Sequence, residues 1–268
     1  MNLTEVGVGA APTVRLLQRF CEDWLNRADA RVCPEIMRQD YSVQIGGIVL
    51  DGLAAYVPAT LGQLEQFAGL RIVVHDLVSN GQQLALRFTE HGPSSRDGGR
   101  QAAWRGIALF QVENGLLVSN ITEEDYFSRR RQLADGVRDS IPSPLPDAWS
   151  TADASADASA ERRVRDWLLG GALSSSDAGL VCDAGDDNLP LLEVESTRVT
   201  ELFSAGAAVG FRVQERGGYR RGLGLPEDRI GQSGMLSTVG LVRVAADGSI
   251  AGHLVRDRAG LRRALTRN

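Results

Sequence analysis

The sequence predicts an α+β protein in which one unit, a curved antiparallel sheet with its helices on one side, is used twice, the second time in shortened form. Three observations lead there. The stretch from Trp104 to Leu133 reads as two long antiparallel strands folded about Glu113-Asn114-Gly115, the second running into a short charged helix. Ahead of it the apolar periodicities run helix, helix, strand, strand, helix, strand, strand, an order that builds a meander with helices on one face. The ending of the unit, Asp125 followed six residues later by Arg131-Gln132-Leu133, returns as Asp257 followed by Arg263-Ala264-Leu265.

Residues 1–11 are small and polar and are expected to be loose. From Pro12 an amphipathic helix carries Val14, Leu17, Cys21, Trp24, Leu25 and Ala28 at three- and four-residue steps, and Pro34 opens a second short helix through Met37. Tyr41–Ile45 and Ile48–Leu50 flank Gly46-Gly47, a hairpin signal. Asp51 is expected to cap a helix with Leu53, Tyr56, Val57, Leu61, Leu64 and Phe67, its Pro58 in the tolerated early turns. Strands follow over 70–78, 83–90, 101–112 and 116–125, separated by Asn80-Gly81, by the Gly92-Pro93…Gly98-Gly99 loop and by Asn114-Gly115.

Between Ser140 and Ala158 the composition turns to Ser, Pro, Asp and Ala without apolar period, which reads as a linker with Trp149 available to pin it. The expected organisation is a first domain over 1–137, a linker over 138–158 and a truncated second domain over 159–268. The shortened copy rests on two further anchors. Asp23-Trp24-Leu25 matches Asp166-Trp167-Leu168, and Arg87…Glu90-His91-Gly92 matches Arg212…Glu215-Arg216-Gly217. The second copy lacks the equivalent of the helix 51–69; the turn-rich Asp183–Pro190 stands in its place, and a Gly/Arg-rich loop over 217–234 lengthens a strand connection.

The chain of 268 residues, 43% hydrophobic and 24% charged, has enough apolar material for two ordinary cores. No apolar run reaches the ~18 residues of a membrane span, and Met1–Glu5 shows neither a basic nor an apolar leader region. The expectation is a cytoplasmic protein without a membrane partner. A net charge of −5 argues against nucleic acid. All 29 basic residues are arginine, which excludes lysine Schiff-base chemistry and a P-loop lysine. Cys21, Cys33 and Cys182 have no C-x-x-C spacing and read as buried free thiols. His75, His91 and His253 form no i, i+4 pair, so no metal site is expected. Gly222-Leu-Gly224 does not open a helix after a strand and is no nucleotide fingerprint.

The helix–hairpin–helix–meander order, Trp24 on the first helix, the Arg71–Glu90 hairpin, Arg105-Gly106 opening the next strand and Asp125…Arg131-Gln132-Leu133 together resemble the NTF2-like superfamily, and within it the SnoaL-like, polyketide-cyclase-like branch. The resemblance covers 12–135, with a truncated echo over 160–266. It implies two cone-shaped domains, the second degenerate, and a pocket between the helices and the concave sheet face of the first. It also implies pairing of convex faces, here between the two copies as an intrachain pseudo-dimer, though two chains can equally pair again as a homodimer. The implied activity is cofactor-independent cyclase, isomerase or epoxide-hydrolase-like acid–base chemistry on a small hydrophobic, polyketide- or terpenoid-like molecule. The alternative is a non-catalytic NTF2-like module that binds a small ligand or mediates protein association.

By that resemblance Asp125 occupies the general-base position. Strand alternation sets Asp125, Glu123 and Ile121 on one face and Glu124, Thr122 and Asn120 on the other. An aspartate at a strand end can equally cap the helix beginning at Tyr126. A base needs a donor for the developing enolate, and Tyr41 and Arg105 are the candidate catalytic partners. Trp24, Tyr56, His75, Trp104 and Glu123 are the candidate substrate-binding residues. The tyrosines also suit core positions, Arg105 also suits a pair with Glu90, and His91 suits the surface. Gln44-Ile45-Gly46 stands where many catalytic relatives place a second acid or histidine, so a ketosteroid-isomerase mechanism lacks its carboxylate. The Arg–Asp–Asp set of limonene-epoxide-hydrolase relatives is not evident either. In the second copy Asp257 and His253 fall on the closing strand, and that half reads as a structural partner whose Arg220-Arg221 loop lids the first pocket.

Overall fold

Alternation of apolar side chains over long β-branched runs gives strands here, and three- and four-residue apolar steps give helices. The computed structural model describes residues 11–174, 179–182 and 190–267; the expectations for 1–10 and for most of 183–190 lie outside the described residues. Helix α1 (Pro12–Arg19) opens on a proline, continues through a π-helical turn over Phe20–Leu25, and leads to the short α2 (Cys33–Ile36). Val14, Leu17, Cys21 and Trp24 of the expected stripe are buried, whereas Ala28 turns out to solvent with φ +55°. Strands β1 (Met37–Ile45) and β2 (Ile48–Asp51) form the hairpin, with both Gly46 and Gly47 at positive φ. Helix α3 (Leu53–Gln66) follows, then β3 (Arg71–Ser79), β4 (Gln83–Ser94), β5 (Arg100–Glu113), β6 (Leu116–Glu124) and α4 (Tyr126–Asp135). The cap position of α3 is Gly52 rather than the expected Asp51, with no side-chain cap bond. The expected Gly92–Gly99 loop is shorter than the glycines suggest, because β4 runs on through Ser94 and pairs with β5 to Arg100.

These strands make one six-stranded sheet in the order β2-β1-β6-β5-β4-β3. All pairs are antiparallel except β1 with β6. The fold is α+β, with helices collected on the concave side. There Trp24, Tyr41, Phe67, Trp104 and Phe110 form the heart of the first core.

After α5 (Ala158–Leu169), β7 (Leu180–Cys182), β8 (Leu192–Ala205), β9 (Ala208–Tyr219), β10 (Ser233–Val244) and β11 (Ile250–Arg256) build a five-stranded sheet, and α6 (Arg258–Thr266) closes the chain. Its order is β7-β11-β10-β9-β8, with β7 parallel to β11. This is the order of the first sheet without its β2. Val164 and Leu168 of α5 pack on Val209, Phe211 and Val213 on its inner face.

The other faces of the two sheets meet. Ile107 and Leu109 of the first sheet share a buried cluster with Phe203, Val239, Leu241 and Val255 of the second. Both faces of β4 and β5 are therefore buried, one by helices and one by the second sheet.

The Ser/Pro/Asp/Ala segment is strapped along the edge strand β3 rather than hanging between sheets. Leu145 N–H donates to Val74 O and Ala154 N–H to Ser79 O, both at 2.8 Å, and the Ser79 hydroxyl donates to Asp153 at 2.5 Å. Trp149 packs on the first core. The segment thereby satisfies backbone groups that an open sheet edge would expose. Among the described residues no helix is long and apolar enough to cross a membrane.

Candidate active site

The concave face of the first sheet and α3 enclose a cavity of about 290 Å³. Most of its wall is apolar. Phe20 and Leu25 come from the π-helical turn, Val43, Ile45 and Leu50 from the first hairpin, and Ile72, Leu86, Phe88 and Phe110 from the sheet. At one end the lining turns polar: Tyr56, Thr60 and Gln63 descend from α3, Glu90 stands on β4, Asn120, Thr122 and Glu124 on β6, and Tyr126 opens α4.

Two carboxyl groups dominate that end. Glu90 and Glu124 are 3% and 8% exposed, on strands separated by β5. From β5, Trp104 donates its indole N–H to Glu124 Oε2 at 2.7 Å, and from α3, Gln63 Nε2 donates to Glu90 Oε2 at 2.9 Å. Arg129, one turn into α4, lies over the rings of Tyr126, Trp104 and Phe67 at 4.2, 4.9 and 5.2 Å, and its buried Nη1 has no hydrogen-bond partner among the described residues. Burial and then the neighbouring Glu124 push the Glu90 carboxyl well above the ordinary glutamate range, against the opposing pull of Arg129. Burial also raises Glu124, with Arg129, Trp104 and Tyr126 favouring its anion. Two like charges in so dry a place do not both ionise readily, so ionisation of one carboxyl opposes that of the other. Glu124 has the better-supported anion and Glu90 the better-supported acid.

Residues 17–120 match the SnoaL-like domain family. That match places a SnoaL-like domain over residues 17–120. Solved structures similar to the chain include a candidate SnoaL-like polyketide cyclase from Jannaschia sp. CCS1, with 13% identity over 50% of this chain and 97% of that one and a TM-score of 0.44. TsrD from Streptomyces laurentii is 22% identical over 49% and 98%, with a TM-score of 0.42. An LEH-like epoxide hydrolase from M. tuberculosis is 13% identical over 48% and 89%, with a TM-score of 0.41. No curated protein sequence matches the chain.

Within the SnoaL-like domain only some of the expected site residues come together. Tyr56 lines the cavity, its hydroxyl accepting the Trp24 indole N–H at 3.0 Å. Trp104 stands behind the wall and reaches the site through Glu124. Tyr41 is fully buried behind Tyr56, their rings 5.2 Å apart, and its hydroxyl has no regular hydrogen bond among the described residues. Arg105 alternates with Trp104 and falls on the opposite face of β5. His75 faces away as well: Nε2 meets the Thr89 hydroxyl at 2.7 Å and Nδ1 meets Ser143 O at 2.9 Å, which ties the linker to the sheet.

Asp125 is not in the cavity wall. It caps α4, accepting Ser128 N–H at 3.0 Å, and both its oxygens accept Arg258 Nη2, at 2.9 and 3.0 Å. The alternation of β6 holds, but the face carrying Ile121, Glu123 and Asp125 looks toward the second sheet, and Asn120, Thr122 and Glu124 look into the cavity. Glu123 likewise lies in the seam between the sheets, near Arg212, Ser237 and Asp257. Sequence reasoning therefore missed Glu90, Glu124, Gln63 and Arg129. One signal was available: Leu84, Leu86, Phe88 and Glu90 share one face of β4, an inward apolar row that ends on a carboxylate.

In the second half a broad depression beside α5, lined by Arg162, Arg163, Trp167 and Gly248, lies apart from the inner recess of the sheet. That recess, lined by Leu180, Leu192, Leu236, Leu254, Glu215 and Arg256, measures about 30 Å³, room for a water or two. Cys182, expected to be buried, is only half-buried at its edge. The lid reading of Arg220-Arg221 finds no support, since neither residue lines the first cavity.

Proposed function

We propose that the SnoaL-like domain is a cofactor-independent acid–base catalyst acting on a small hydrophobic, polyketide- or terpenoid-like molecule, with Glu90 as acid and Glu124 as base. The carboxyl pair buried at the polar end of an otherwise apolar cavity carries this reading. A ketone lodged with its oxygen at Glu90 and an adjacent C–H at Glu124 would enolise. The C–H bond breaks, its proton passes to the Glu124 carboxylate, the electron pair forms the enol C=C, and the oxygen takes the Glu90 proton. Isomerisation and aldol-type ring closure both begin with that step. The apolar wall excludes water and strengthens each of these interactions. Tyr56, fixed by Trp24, offers a hydroxyl on the same side.

The test is deuterium uptake next to the carbonyl in a panel of hydrophobic ketones held with the protein in deuterated water. Glu124→Gln and Glu90→Gln are each expected to slow exchange about 100-fold or more, the low end of general acid–base contributions. Exchange that survives Glu124→Gln removes it as the base. Ketones that bind without any exchange favour the ligand-binding alternative.

We also infer that the second sheet is a truncated copy of the first and serves as its built-in dimer partner. The shared strand order supports this, including the parallel closing pair. So do the matched endings: Asp125 N–H bonds Arg105 O and Asp257 N–H bonds Ser237 O, each at 2.9 Å, and each aspartate then caps the next helix. In the copy, Glu215 and Arg256 stand where the first sheet has Glu90 and Glu124, so an opposite charge replaces the second acid.

A further inference from the structure

The site in the first half depends on α4, because α4 delivers both Tyr126 and Arg129 to the carboxyl pair. The two ends of that helix are held differently. Its C-terminal turn is fixed by its own sheet: Gln132 exchanges hydrogen bonds with Ala103 N–H and O at 2.9 and 2.7 Å, and Arg100 donates to Leu133 O at 2.7 Å. Its N-terminal turn, the one next to the site, is held from the other half of the chain. Arg258 is the first residue of α6. It is 6% exposed, donates from Nη2 to both Asp125 oxygens and to the Ser128 hydroxyl at 2.8 Å, and lies 4.7 Å over the Phe127 ring. One and a half turns on, Arg263 Nη2 donates at 3.0 Å to Gly46 O, in the hairpin turn whose Ile45 and Ile48 line the cavity. A single helix of the second half thus grips two walls of the first half's cavity.

We infer that Arg258 is a positioning residue for the Glu90–Glu124 site: by clamping the first turn of α4 it keeps the Arg129 guanidinium and the Tyr126 ring against the two carboxyl groups. The inference rests on the acid–base reading of that pair. The second half then has a task beyond covering a sheet face. The contacts of Arg258 with Asp125, Ser128 and Phe127 reach the pair through α4. The titratable and charged groups that face the pair are Cys21 from the first helix, Tyr56 from α3, and Tyr126 and Arg129 from α4. Arg129 is the only cation in that set, so displacing it disfavours the Glu124 anion.

The test reads ionisation directly and needs no substrate, so it stands whether or not the ketone-exchange experiment succeeds. The Trp104 indole N–H, bonded to Glu124, is followed by nitrogen–proton NMR across a pH titration of the full chain and assigned with Trp104→Phe. In Arg258→Met the titration midpoint is expected to rise by about one pH unit or more, the usual effect of losing an adjacent opposite charge. Arg258→Lys should restore part of that change. Arg262→Ala, on the same helix but bonded to Leu223 O, should leave the midpoint where it is. Asp125→Asn removes the charge Arg258 grips while keeping an oxygen for the cap, and it should reproduce the Arg258→Met shift. If neither variant folds, Ser128→Ala, which removes only one of the contacts, should give a smaller rise in the same direction. A folded Arg258→Met or Asp125→Asn protein, or Ser128→Ala in the absence of both, whose midpoint stays at the wild-type value overturns the inference and reduces Arg258 to an interface contact.

Discussion

Glu123 offers the sharpest test of the seam between the two sheets. Its side chain is 1% exposed and points from β6 toward the second half, where Asp257 and Arg212 are charged neighbours and Ser237 and the Gly46 backbone are donors; one carboxyl oxygen has no partner among the described residues. Burial first, and Asp257 second, push this carboxyl from 4.5 up to about 8. In the unfolded chain it ionises in the ordinary range, so between about pH 4.5 and pH 8 the folded state holds a proton that the unfolded state has released. Stability contributed by this group is therefore fully present below 4.5, falls as pH rises through that window, and reaches its lowest level above about 8. At ~1.36 kcal/mol per pH unit the whole span corresponds to about 5 kcal/mol. Arg212, Ser237 and Asp257, the neighbours of Glu123, also line a hollow of about 210 Å³ that is large enough for water, so the full span is a ceiling. Glu123→Gln keeps the shape of the protonated acid and cannot ionise. Urea unfolding followed by circular dichroism should find the two proteins nearly equal at about pH 5. At about pH 9 the variant should be more stable by about 2 kcal/mol or more, within that 5 kcal/mol ceiling. A stability difference that is the same at both pH values would falsify the assignment of Glu123 as a buried acid in the seam.

Two further outcomes follow from packing. Gly106 lies opposite Phe88, and a Cβ there would sit 2.3 Å from the Phe88 ring, so Gly106→Ala should cost about 1–3 kcal/mol in thermal or urea unfolding and push the ring into the cavity, weakening ligand binding in parallel. Pairing of the two sheets inside one chain predicts a solution mass of 28.8 kDa by sedimentation velocity, and a stable species of twice that mass would show that the shared face does not exhaust the protein's association.

The elements were legible in the sequence because their periods are strong: α3 spans Leu53–Gln66 and β5 spans Arg100–Glu113, close to the expected ranges. The facing of the strands was not. Alternation fixes which residues share a face but names the inner face only where one side is polar. Here Leu84, Leu86 and Phe88 face helices while Ala85, Ile107 and Leu109 face a second sheet, so both rows read as core. Ile121, Glu123 and Asp125 were correctly grouped and then assigned to the wrong side. Arg129 escaped notice for a different reason. It sits within Arg129-Arg130-Arg131, a charged run that resembles a solvated helix face, and only the stacked rings of Phe67, Trp104 and Tyr126 mark it as part of the site.

The recurrence of the aspartate at both strand ends bears on its role. In the second half Asp257 precedes α6 and accepts Gly260 N–H at 2.7 Å, as Asp125 accepts Ser128 N–H, and the recess beside Glu215 and Arg256 measures about 30 Å³. An aspartate that takes the same geometry ahead of two different helices serves the helix it starts, a contribution of about 1 kcal/mol for a cap of this kind. The carboxyl pair behaves in the opposite way. Where the hollow is open, Glu90 and Glu124 face each other as two acids; where it is nearly closed, the second acid is Arg256, which balances Glu215. Two buried acids without a countercharge each are costly to fold, and one arginine shared between them leaves part of that cost standing. The acid pair stands in the half with the cavity, and in the other half Glu215 is balanced by Arg256 while the aspartate recurs as a helix cap, which favours the pair over Asp125 as the seat of any chemistry.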